Sequence, residues 1–62
     1  SMQAVALRDG GYYIVGKENQ GDLFTSIWYL SNEYELSRKA DGLKSVYSLA
    51  LSGNNNWLYA FG

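Results

Sequence analysis

Any chemistry in this chain has to begin from acidic and amide side chains, because it contains no His and no Cys. Without an imidazole or a thiolate, the common nucleophile–base pairs are out of reach, and zinc-type sites lose their usual ligands. Glu33 and Glu35 are spaced so that they share one face of a strand. Two-carboxylate catalysis needs such a pair set across a cleft; side by side on a polar strand, they read more simply as a solvated outer face. Asp9, Asp22 and Asp41 each stand beside a turn glycine, where Asp serves the turn through its own hydrogen bonds. A calcium loop needs several oxygen ligands at tight spacing, and none of these turns offers them. Gly10-Gly11 and Gly16 lack the strand–loop–helix context and the Lys-Ser or Lys-Thr ending of a phosphate cradle. These residues describe a noncatalytic chain with no cofactor and no metal.

Two patterns bear on binding. Asn54-Asn55-Asn56 followed by Trp57 offers amides for a sugar and a ring to stack on it, or else a long hairpin loop. Arg38, Lys39 and Lys44 fall near one loop, and single-strand nucleic-acid binders combine a basic groove with stacked aromatics. A formal net charge of -1 supplies no such groove, so nucleic acid is not an expected partner. No apolar run approaches the ~20 residues that span a bilayer, and the first residues do not read as a secretory signal. Ser1-Met2 reads as a tag remnant before a start at Met2, with residues 3–62 as one small β domain, cytoplasmic by default.

The elements that would position these residues are strands. Turn signals at Asp9-Gly10-Gly11, Asn19-Gln20-Gly21-Asp22, Ser31-Asn32-Glu33, Lys39-Ala40-Asp41-Gly42 and Ser52-Gly53-Asn54-Asn55-Asn56 delimit six segments. They are Gln3–Arg8, Tyr12–Lys17, Leu23–Leu30, Tyr34–Lys39, Leu43–Leu51 and Trp57–Phe61, each of ordinary strand length and rich in residues that suit a pleated surface. Helix is the rival reading for residues 23–39, where Phe24, Ile27, Trp28 and Leu30 can be drawn as a stripe. Thr25, Ile27, Trp28 and Tyr29 are poor helix formers, which favours strand.

Most segments are apolar on both faces: Tyr12-Tyr13-Ile14-Val15, Ile27-Trp28-Tyr29-Leu30, Val46 to Leu51, and Trp57 to Phe61. A sheet with one wet face shows one polar face, so these strands ask for cover on both sides. Only Tyr34–Lys39 alternates cleanly, as an outer strand would. Sixty-two residues bury only about 60% of the surface of the unfolded chain, and with no disulfide or zinc site the composition has to supply the stability. It is 47% hydrophobic and 16% aromatic. Trp28, Trp57, Tyr47 and Phe61 are most simply core. Tyr12, Tyr13, Tyr29, Tyr34 and Tyr59 exceed what so small a domain can hide, and Tyr and Trp favour interfaces because they bury area while keeping a polar handle.

The chain also repeats itself in part. Val5-Ala6-Leu7-Arg8-Asp9-Gly10-Gly11-Tyr12-Tyr13-Ile14-Val15-Gly16 returns as Leu49 to Gly62, strand, polar turn, strand and glycine each time. A period of about 40–45 residues is that of a four-stranded propeller blade. Ser26-Ile27-Trp28-Tyr29-Leu30-Ser31 followed by Tyr34-Glu35-Leu36-Ser37-Arg38 resembles the third and fourth strands of a WD-type propeller blade, and Ser45 to Ser52 with Asn56 to Gly62 resembles the first two strands of the next. Asp9-Gly10-Gly11-Tyr12 is similar to the turns of bacterial propeller repeats. The resemblance implies about one and a half blades. It departs from the family where Tyr29 stands in place of the Asp after the Trp, and where Asp41-Gly42 replaces the Gly-His pair, so the family's hydrogen-bond network is not implied here. Six strands are not a whole number of four-stranded blades, and they could instead curl into a small closed barrel.

The expected fold is therefore an all-β, six-stranded antiparallel meander, either blade-like or barrel-like, with pairing across chains open to its edges. The expected function is protein contact, including contact with its own copies, through Trp57, Tyr59, Phe61, Tyr12, Tyr29 and Tyr34. The alternative is a small barrel that binds a sugar or other small ligand with exposed aromatics and Asn54, Asn55 and Asn56.

Overall fold

The computed structural model describes residues 2–19, 21–44 and 46–62. Ser1, Gln20 in the second expected turn and Ser45 in the fifth expected strand lie outside the described residues. The described residues form six antiparallel strands: β1 Met2–Ala6, β2 Tyr12–Gly16, β3 Thr25–Leu30, β4 Leu36–Leu43, β5 Ser48–Leu51 and β6 Leu58–Phe61. β1–β4 make a four-stranded meander in sequence order, and β5 and β6 make a separate hairpin. Residues 23–39 are strand, turn and strand, without helix.

The first turn shows why the sequence folds locally as it does. Gly10 adopts a positive φ of 90°, open to glycine without a Cβ clash. The Gly11 N–H donates to Asp9 Oδ1 at 2.9 Å, and the Gly10 N–H donates to the Leu7 carbonyl at 3.1 Å. A Cβ on Gly11 would lie 2.8 Å from the Leu30 carbonyl oxygen, so only glycine lets this turn sit against the end of β3.

The expected loop at Lys39-Ala40-Asp41-Gly42 is instead part of β4, which runs to Leu43. The register explains how. Trp28 faces Arg38, Ile27 faces Ala40 and Thr25 faces Leu43, so extra β4 residues are absorbed as bulges. Gly42, at φ 64°, supplies a left-handed step that a continuous strand would not hold. The Thr25 hydroxyl donates to the Leu43 carbonyl at 3.0 Å and fastens the strands beyond the irregularity.

Alternation sorts the meander into two faces. Val5 and Tyr13, Val15 and Ile27, and Tyr13 and Tyr29 are cross-strand partners on one of them. The hairpin lies on that inner face, with β5 against β1 and β2. Among the described residues, Val15, Ile27 and Leu49 are the buried apolar ones, and Val5, Tyr13, Ala40, Leu43, Val46 and Leu58 pack around them. The hairpin is clamped at two points: the Leu49 N–H donates to Gln3 Oε1 at 2.7 Å, and the Arg8 guanidinium donates to the Gly53 carbonyl at 2.6 Å. Because the hairpin stacks on the sheet rather than extending it, β6 does not pair with β1 and the strands do not close into a barrel.

Candidate functional site

Among the described residues, no layer lies over the second face of the meander. Ala4, Ile14, Trp28 and Arg38 form one row across the four strands, and Ala6, Tyr12, Leu30 and Leu36 form the next. Met2 lies across Gly16, where an added Cβ would meet its Cγ at 2.7 Å. Met2, Ile14, Trp28 and Leu36, with Lys17 and Glu18 at the rim, line a shallow apolar depression of about 250 Å³. The Arg38 guanidinium reaches over this face and sits 4.9 Å from the centre of the Trp28 ring, within the range of a cation–π contact. Arg38 is held there by Glu18 and, at 3.6 Å, by Asp41.

The hairpin has an uncovered side as well. Leu49 faces Ala60 and Leu51 faces Leu58 on the side turned to the sheet; Ala50 faces Tyr59 and Ser48 faces Phe61 on the other. Trp57, Tyr59 and Phe61 therefore project together, away from the core, at 66%, 51% and 53% exposure. Their cross-strand neighbours Ser48, Ala50 and Ser52 are too small to shield them. The expectation that Trp57, Phe61 and Tyr47 belong to the core is overturned, since all three are exposed. Trp28 is only half-buried, on the outer face. The reason is parity: packing Leu49 and Leu58 on the sheet turns residues 57, 59 and 61 outward.

Of the six aromatic contact candidates, Trp57, Tyr59 and Phe61 thus form one stripe, and Tyr12 belongs to the opposite, outer sheet face. Tyr34 stands alone in the β3–β4 turn at 87% exposure, and Tyr29 lies on the inner side of β3, its ring 5.4 Å from that of Tyr13. Met2, Ile14, Leu30 and Leu36, which share the outer face, were not singled out from the sequence. The two-sided apolar pattern of β2 and β3 was the available signal for them.

The Asn54–Asn56 loop meets the first turn at one end of the molecule. Leu7, Arg8, Asp9, Tyr13, Tyr29, Asn54, Asn55 and Asn56 line an open cleft of about 440 Å³. Asn54 is engaged in the loop itself: its Oδ1 accepts from the Ser52 hydroxyl at 2.7 Å and from the Asn56 N–H at 3.1 Å. Asn55 takes a left-handed φ of 61°, which Asn tolerates well. Trp57 is not part of the lining, so the aromatic rings beside these amides are Tyr13 and Tyr29. The Tyr29 hydroxyl donates to Asp9 Oδ2 at 3.4 Å. Burial, and then the Asp9 carboxylate beside it, hold the Tyr29 hydroxyl above the ordinary tyrosine range. Glu33 and Glu35 lie in the β3–β4 turn, where each backbone N–H donates to the Ser31 hydroxyl oxygen.

No protein-family model, curated protein or solved structure matches the chain.

Proposed function

We propose that the chain is a noncatalytic β module for protein–protein contact that associates with its own copies through edge strands. The observation that carries this reading is β6. It pairs with β5 on one side, and among the described residues nothing pairs with its other side. The direction of its backbone groups follows from the hairpin. The Leu49 N–H leaves β5 on the side away from β6 to reach Gln3, so Leu49 and Ala60 are a non-hydrogen-bonded pair. The Ala60 N–H accordingly points out from the free edge of β6, where it can template pairing with another chain. A four-stranded meander followed by a separate two-stranded hairpin matches the strand count of one and a half propeller-like blades, the reading that the sequence resemblance suggests.

The test is solution mass by light scattering over a wide concentration range, for the parent chain and for Ala60→Pro. Proline removes the outward N–H while leaving the β5–β6 ladder its bonds. A mass that rises with concentration, and rises less in Ala60→Pro at unchanged far-UV circular dichroism, is the expected result. A strict monomer at high concentration overturns the self-association reading.

The cleft beside Asn54–Asn56 favours a second reading, binding of a sugar or similar polar ligand. Arg8, Asp9 and the Asn55–Asn56 segment border it, with the Tyr13 and Tyr29 rings alongside. Titration with a panel of monosaccharides, followed through the amide resonances of residues 8–11 and 53–56, tests it; unchanged resonances across the panel remove it.

A further inference from the structure

We infer that copies of this chain stack head to tail, the outward aromatic face of the β5–β6 hairpin of one copy seating on the outer face of the β1–β4 sheet of the next. This rests on the reading that the chain self-associates, and it adds a contact between faces to the contact between edges.

The geometry starts from the layer order. From one side to the other, the molecule presents an open apolar sheet face, the meander, a thin core, the hairpin, and an open aromatic face. The exposed large apolar side chains include Met2, Tyr12 and Leu36 at one end of this order and Trp57, Tyr59 and Phe61 at the other. Among the described residues, the buried apolar side chains between them are Val15, Ile27 and Leu49. The two open faces point in opposite directions, so a single copy cannot cover both with its own residues. A two-fold dimer that buries the same face of each copy leaves the other face wet. A contact between unlike faces covers both and repeats, as a heterologous interface does.

The faces also match in kind. The chain already packs a two-stranded hairpin on one face of its four-stranded sheet, with Leu49 and Leu58 entering the rows of Val5, Tyr13 and Val15. The outward side of the same hairpin offers three aromatics against the row of Ile14 and Trp28. Aromatic side chains bury roughly 150–250 Å² each. At the exposures observed for Trp57, Tyr59 and Phe61, the aromatic stripe offers on the order of 400 Å². With a similar area from the sheet, one contact buries on the order of 800 Å² in total, below the roughly 1,000 Å² of a stable interface, so each contact is weak and assembly is expected at high protein concentration. The sheet face carries Lys17 and Glu18 at its rim and the Arg38 guanidinium over Trp28. The hairpin face carries no charged side chain between Ser48 and Phe61, so no like charge meets Arg38, and the aromatic stripe offers that guanidinium further rings.

Complementation between two variants tests the arrangement. Leu36→Lys spoils the sheet face and Tyr59→Lys the hairpin face; both positions are exposed, and Tyr12→Lys with Phe61→Lys forms a second pair should either variant fold poorly. Each variant alone is expected to lose assembly beyond the mass supported by edge pairing. Mixed in equal amounts, one intact hairpin face meets one intact sheet face, and the weight-average mass rises by up to twofold over either variant alone. If the parent chain assembles but the mixture shows only the mean of the two separate masses, the stacking is wrong while edge pairing stands. If the parent chain is monomeric throughout, both fall.

Discussion

The Leu49 amide donates to the side-chain oxygen of Gln3 at 2.7 Å, across forty-six positions of sequence. This bond joins the hairpin to the sheet at the edge of β1, next to a core with few buried apolar groups. It also satisfies an amide that β6 does not reach. Gln3→Met keeps the length of the side chain and removes the acceptor, leaving the Leu49 N–H partly buried without a partner. Such a loss costs about 1–3 kcal/mol. The expected outcome is a lower urea midpoint, and faster hydrogen exchange at Leu49 and its β5 neighbours than in β2 and β3. Gln3→Glu, which retains an acceptor, is expected to preserve most of the protection.

The strands were legible in the sequence because their punctuation has a mechanism. Asp9-Gly10-Gly11 makes an Asx-type turn with a left-handed glycine, and Tyr12 to Val15 and Ile27 to Leu30 are strand formers on both faces. Asp41-Gly42 misled for the same reason: residues that end a strand also make a bulge, and only the neighbouring register decides between them. The burial of the last strand was not legible. Trp57, Tyr59 and Phe61 share one side, Leu58 and Ala60 the other, and both sides are apolar; which one turns inward depends on how the hairpin docks. That docking runs through Gln3, a polar residue with no local signal of its role. Of the candidate contacts, the last strand and its aromatics are named by the strand pattern, whereas the outer face around Ile14 and Trp28 shows only in the structure, where nothing among the described residues lies over it.

Tyr34 holds a left-handed backbone with φ at 65° while its side chain is almost fully exposed. The turn fixes it: the Tyr34 N–H donates to the Ser31 carbonyl at 2.9 Å, and the Ser31 N–H donates to the Glu35 carbonyl at 2.8 Å. A bulky residue there carries about 1–2 kcal/mol of backbone strain. Tyr34→Gly relieves it, at the expense of unfolded-state entropy. The expected net effect is a gain of roughly 0.5–1 kcal/mol in urea unfolding. Gly42→Ala, at φ 64° with open space around it, is expected to lose a similar amount.

Tyr29 links stability to alkaline pH. Its hydroxyl is held above the ordinary tyrosine range, by burial first and by the Asp9 carboxylate second. For an acid whose folded pKa is raised, the native state binds the proton more tightly than the unfolded chain does. The contribution is complete below the unfolded value and is lost as pH rises through the folded one. Stability is therefore expected to be flat through neutral pH in this respect, and to fall above pH 10. Tyr29→Phe should flatten that alkaline limb in denaturant midpoints measured across the range. An equal decline in parent and variant would assign the effect to the other tyrosines.

Arg38 lies over Trp28 while pairing with Glu18 and Asp41. All three charged side chains are well exposed, so the ion pairs contribute at most about 1 kcal/mol, and added salt should change the unfolding midpoint little. The larger consequence is at the surface, because the guanidinium and its stem shade one side of the indole. Arg38→Ala removes that shade without touching the core at Val15 and Ile27. In a Trp57→Phe background, where Trp28 is the remaining tryptophan, Arg38→Ala is expected to raise acrylamide quenching at low protein concentration. At high concentration the freed ring gains an occupant if the sheet face meets another copy, and quenching should then fall back below its dilute value. A quenching constant that rises on substitution and stays the same at every protein concentration would place Trp28 on a face that remains in water.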